Sequence, residues 1–208
     1  MGMKDIIDRV FQLRGGNQTI LDIVSPYSLG RANLRTDDGG LLLGALFSSV
    51  ATDRTDADVD TAQSIFDSGN DTITLEEATT YLMKLVCHIS STGTASANMT
   101  CLFAGSATLT SIGFAATSNH PATETRGAPV ASWAAAATPG VNVTQTVAAA
   151  RFHTVVLEGL VRVNVAGTFI PQYKFSGAPG AAPIVYANSY LTLIPIGSNT
   201  IASIGDWS

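Results

Sequence analysis

Charge is the first thing this sequence is short of. Asp, Glu, Lys and Arg make up 13% of the 208 residues, against a usual share of about 25%. No cluster of Lys or Arg occurs, and the net charge is −5. A nucleic-acid surface needs concentrated positive charge to displace counterions, so no nucleic-acid partner is expected. Long apolar runs are missing too. A membrane helix needs about 18 or more apolar residues, and the longest apolar block, Leu41 to Phe47, is short and contains Gly44. No membrane span is expected. Lys4, Asp5, Asp8 and Arg9 are followed by no apolar h-region, so no secretory signal is expected either. Without one, the Asn-x-Thr triplets at Asn17, Asn70, Asn98 and Asn142 reflect Thr and Asn content rather than glycosylation. Cysteine is scarce. Cys87 and Cys101 lie in two apolar runs without Cys-x-x-Cys spacing. They read as buried thiols or, if their strands are neighbours, as a disulfide.

Catalytic signatures are also lacking. His88, His120 and His153 form no His-x-x-x-His or Glu-x-x-His pair, so no zinc site is expected. No P-loop and no Gly-x-Ser-x-Gly occurs, and no cofactor is called for. Asp56, Asp58 and Asp60 alternate as at the start of a calcium loop. Thr61 replaces the required glycine and Asp67 stands in the place of the bidentate Glu, so a solvated loop is the reading. Glu76 and Glu77 are adjacent, and in a strand they would point to opposite faces. They cannot act on one substrate as glycosidase carboxylates do. No enzymatic activity is expected.

What is present is unevenly spread. Residues 1–90 carry 20 of the 27 charged side chains, and residues 91–208 carry 7. A monomeric module normally needs many charges on its surface. A surface of Thr, Ser, Asn and Gln suits a module that buries its outside against copies of itself or other subunits.

The pattern divides the chain into an arm, 1–62, and a head, 63–208. Ile6, Ile7, Val10 and Phe11 share one face of a short amphipathic helix that Gly15-Gly16 ends. Such a helix is too short to stand alone in water, so these four residues are candidates for docking on a partner. Residues 17–62 mix short apolar runs with turn signals and read as an extended arm.

From about residue 63 the texture is β. In Thr79 to Ser91, Tyr81, Met83, Leu85, Cys87 and Ile89 alternate onto one face. Leu82, Lys84, Val86, His88 and Ser90 take the other. A helical reading competes, because Thr74-x-x-Glu77 resembles a capping box. The β-branched content and the Ser-Thr-Gly turn that follows favour a strand. Further strands are expected over 99–103, 107–114, 130–137, 152–165, 169–175 and 186–194. Turns of Gly, Pro and Asn separate them, the pattern of an all-β sandwich or jelly roll. In 169–175, Pro171 points to an edge or a bulge. Phe169, Tyr173 and Phe175 form an aromatic stripe that reads either as core or as a contact between subunits.

Four motifs carry a resemblance. They are Thr79-Thr80-Tyr81, Phe103-x-Gly105-x-Ala107-Thr108, Arg162-x-Asn164-x-x-Gly167-Thr168-Phe169-x-Pro171-Gln172, and Gly205-x-Trp207-Ser208. Over about 72–208 the chain resembles the C-terminal module of tailed-bacteriophage virion structural proteins. The resemblance implies a jelly-roll-like antiparallel β-sandwich, a homotrimer and a non-enzymatic role on a phage particle. The family includes capsid decoration (cement) proteins as well as fibre or appendage proteins. A fibre tip follows a repetitive shaft, and no heptad or repeat is visible. A decoration protein needs only a docking segment and a head. The expectation is therefore a trimer made in the host cytoplasm and bound to the major capsid protein on the outer surface of the phage head. The alternative is a tail-associated adhesin that binds a host receptor or glycan.

Overall fold

The computed structural model describes residues 44–91, 93, 95, 97–119, 130–137, 140–143 and 151–202. The docking helix with Ile6, Ile7, Val10 and Phe11 lies outside the described residues, as does His120. Among the described residues there is no helix. Thirteen strands follow one another: β1 (Leu46–Ser49), β2 (Arg54–Thr55), β3 (Gln63–Ser64), β4 (Ile73–Leu75), β5 (Thr79–Ser91), β6 (Met99–Ala104), β7 (Thr108–Asn119), β8 (Val130–Ala134), β9 (Val141–Asn142), β10 (Arg151–Val165), β11 (Gly167–Phe175), β12 (Ile184–Val185) and β13 (Tyr190–Ser198).

The strands form two sheets, and all pairings are antiparallel. The larger runs β1-β13-β5-β10-β7-β8, with β12 beside β5 and β2 beside β12. The smaller runs β3-β11-β6-β9, with β4 also on β11. One buried cluster joins their inner faces. Tyr81, Met83, Leu85, Cys87 and Ile89 supply it from β5, and Val155, Leu157, Val161 and Val163 from β10. The smaller sheet adds Met99, Cys101, Phe103, Phe169, Tyr173 and Phe175. Phe103 of the smaller sheet meets Phe114 of the larger edge-on, with ring centroids 5.2 Å apart.

The alternation read in residues 81–89 of β5 is the alternation of burial. The helical alternative for β5 gives way to a strand of 13 residues paired on both sides. Glu76 and Glu77 lie in the turn before it, where Ala78 takes a φ of 50°. The strand expected from residue 186 begins only at Tyr190. Asn188, at φ 68°, and the bond from Ser189 N–H to Tyr186 O make residues 186–189 a turn.

The arm expected over 1–62 needs a correction at its C-terminal end. β1 pairs with β13 through Leu46–Leu193, and β2 pairs with β12 through Arg54–Val185. Residues 46–55 are therefore part of the body. These strands have only four and two residues, too few to display a period.

Pro171 also differs from expectation. It lies in the middle of β11, between neighbours on both sides. β11 pairs with β4 through residues 167–169 and with β3 through 172–173, so Pro171 faces the gap between these two short strands. Its carbonyl accepts from Ile65 N–H, and its ring nitrogen, which carries no hydrogen, faces the same way. No ladder bond is forfeited.

Candidate functional site

The outer face of the larger sheet is where the sequence departs from a solvated surface. In β5 the residues that alternate outward are Leu82, Lys84, Val86, His88 and Ser90. Leu82 stands directly between Leu160 of β10 and Ile194 of β13. The three form an apolar row across three adjacent strands, and each is at least a third exposed. The row continues to Gly113 of β7, where an added Cβ would meet nothing within 4 Å. The next row runs Trp133, Ala115, Glu158, Lys84, Thr192 and Phe47. Its ends are aromatic and open: Trp133 is 75% exposed and Phe47 62%. Its middle is an ion pair, Lys84 Nζ to Glu158 Oε1 at 2.9 Å. The row after that holds Thr117, Val156, Val86 and Tyr190. Tyr190 stacks on Phe47 with ring centroids 6.1 Å apart. Beyond it, Phe152 stacks on His88 and leans on Tyr186. This face is uncommonly apolar for one left to water, because scattered single hydrophobes are ordinary while contiguous ones are not.

A strand covered on both sides reads as a continuous apolar run, whereas a half-solvated one alternates. Residues 81–89, "YLMKLVCHI", alternate in burial, yet Leu82 and Val86 make two of the four outward positions apolar as well. That was the available signal for Leu82.

Phe169, Tyr173 and Phe175 are placed by their burial. They are 2%, 0% and 4% exposed, inside the chain's own core. Of the two alternatives, the chain itself provides the core one: Phe169 stacks on Phe103 at 4.6 Å and Tyr173 meets Phe175 edge-on at 5.8 Å. Such side chains have no surface left for a neighbouring subunit.

The acidic run at 53–60 is exposed at Asp53, Asp58 and Asp60, half-buried at Asp56, and tied to its neighbours at several points. Asp53 Oδ1 accepts from Ala187 N–H and Asp58 Oδ1 from Gly180 N–H, each at 2.9 Å. Asp56 accepts two bonds from the Arg54 guanidinium, at 2.6 and 2.8 Å, and one from the Tyr173 hydroxyl. Burial and the neighbouring Asp56 push the Tyr173 hydroxyl well above its usual range. The run's carboxylates thus fasten β2 and its flanks to β11 and the 180–187 segment. Among the described residues, no three His, Cys, Asp or Glu side chains cluster as a metal site requires. Cys87 and Cys101 are buried free thiols.

A concavity of about 520 Å³ opens at the turn end of β6 and β7. Phe103, Leu109, Ile112 and Phe169 line it under the hydroxyls of Ser111 and Thr168. Among the described residues, no ionisable side chain lines it.

Compared with protein-family models and with curated proteins, the chain has no match.

Proposed function

We propose that the chain is a non-enzymatic structural protein of a tailed-phage virion, a trimeric capsid decoration protein that stabilises the head. The observation that carries this reading is the outer face of the larger sheet, where Leu82, Leu160 and Ile194 form one apolar row beside the row that exposed Phe47 and Trp133 end. A surface of this kind is made to be covered by protein. The charge-poor composition of residues 91–208 and the four motifs at 79–81, 103–108, 162–172 and 205–208 point the same way.

Strand order supports a jelly-roll-like sandwich as the head. Take β1, β3, β5, β6, β9, β10, β11 and β13 as the eight strands of the motif. The first then lies beside the last in one sheet, and the second beside the next-to-last in the other. The pair β7 and β8 extends the larger sheet beyond β10. In this reading residues 1–43, with Ile6, Ile7, Val10 and Phe11, dock on the major capsid protein.

Two measurements test the proposal. Light scattering of the purified chain should give three times the single-chain mass of 21.6 kDa. Particles incubated with the chain should gain density on the head and resist heat or loss of divalent cations better than bare ones. A single-chain mass at micromolar concentration, or density at the tail only, overturns it.

A further inference from the structure

We infer that the outer face of the larger sheet is the contact between copies of this chain, with the Leu82–Leu160–Ile194 row at its centre. The inference rests on the trimeric reading above and names the surface that reading lacks, since Phe169, Tyr173 and Phe175 are enclosed in the core.

The face has the size of an interface. Six strands at about 4.8 Å spacing make it roughly 24 Å wide, and the paired residues 80–88 of β5 make it roughly 27 Å long. That is on the order of 650 Å² in projection, close to the roughly 800 Å² per partner of a standard interface. The apolar row lies on β10, β5 and β13, in the middle of the sheet, and the exposed aromatics lie at its two edges. An apolar centre inside a more open rim is the anatomy of a protein contact.

Its charges identify the occupant. The central rows carry one cation and one anion, Lys84 and Glu158, and these already neutralise each other at 2.9 Å. Arg162, beside Thr80 at the end of the face, adds one cation, whose Nη1 donates to Asn199 O at 2.8 Å. The face thus carries little net charge and asks for no strongly charged partner. A nucleic acid, an anionic surface or a strongly charged protein would gain nothing here. The chain's own first 43 residues carry ten charged side chains and match the face poorly. Copies of the same face match it around a three-fold axis, where each face meets two neighbours and the apolar rows converge on the axis. In a trimer, the row lies toward the symmetry axis and Phe47 and Trp133 toward the rim.

The test is sedimentation of the full-length chain and of Leu82→Asp and Leu160→Asp. Val165→Asp, which alters an exposed apolar residue at the end of β10, serves as control. The expected result is that both aspartates on the face weaken association about tenfold or more and the control does not. Thermal unfolding checks that each variant is folded. Where an aspartate variant fails to fold, the double variant Leu82→Thr/Leu160→Thr keeps β-propensity and is read the same way. Folded variants that remain oligomeric overturn this inference and leave the trimeric reading standing. A wild-type chain that sediments as a monomer overturns both.

Discussion

Tyr173 shows how far the role of a residue can lie from its neighbours in sequence. Its ring fills the core, and its hydroxyl donates to Asp56, 117 residues away. Asp56 in turn holds Arg54, whose side chain donates to Ser64 O. Tyr173→Phe keeps the packing and removes one donor to a charged acceptor. It should cost about 1.5–3 kcal/mol, measured by urea unfolding. Phe175→Ala removes a buried ring and should cost about 3–5 kcal/mol. If either variant changes oligomeric mass while leaving unfolding untouched, the core placement fails. The spacing of Asp56, Asp58 and Asp60 suggested a loop in water, and Asp58 and Asp60 are exposed, but the partners of Asp56 are not visible in local pattern. The buried thiols add a pH dependence. Burial pushes the Cys87 thiol up to about 12 and raises Cys101 well above its usual range. Their folded pKa values exceed the unfolded ones, so the stability they contribute is complete below about pH 8.5. It is lost as pH rises toward 12, by about 1.4 kcal/mol per pH unit and group. Melting temperature should fall steeply above pH 9, and less steeply in Cys87→Ala.

Among the elements, the long strands were readable and the short ones were not. β5 and β10 have 13 and 15 residues, enough for alternation to repeat and to outweigh a capping-box signal. β2, β3, β9 and β12 have two residues each, so only the register of a longer partner defines them. That is why the body begins before residue 63. A chain starting at 63 loses β1, β2, Arg54 and Asp56 together. It should lack a cooperative thermal transition, whereas a chain starting at 44 should keep one. Two of the motifs behind the family resemblance also meet at this scale. The turn from β6 to β7 lies on the turn from β10 to β11. Ser106 N–H donates to Thr168 Oγ1 at 2.8 Å, and Thr168 N–H to Ser106 Oγ at 3.0 Å. Gly105, at φ 126°, approaches so closely that an added Cβ would lie 2.0 Å from Thr168 O. Gly105→Ala should therefore strain the backbone and part the two turns, which denaturant unfolding would register as more than about 1 kcal/mol. An unchanged midpoint would mean that the turns separate freely.

At the scale of the whole molecule, the scarcity of charge and the exposed apolar row become one property. If copies associate through that row, they do so through burial of area rather than through ion pairs. Screening acts on charges within a Debye length and leaves area burial intact. Excluded salts such as sulfate strengthen burial. If the proposed trimer forms through the outer face, its association should change less than about threefold between roughly 50 and 500 mM NaCl. Ammonium sulfate should tighten it. The Lys84–Glu158 pair pulls the other way, but it is one pair and is already closed within a chain, so its loss through screening is small. Sedimentation across the two salt series separates the cases. Association that falls steeply with NaCl would place charged groups in the contact. The charge-rich residues 1–43 would then be the segment that joins the copies, and the apolar face would be left for the shell.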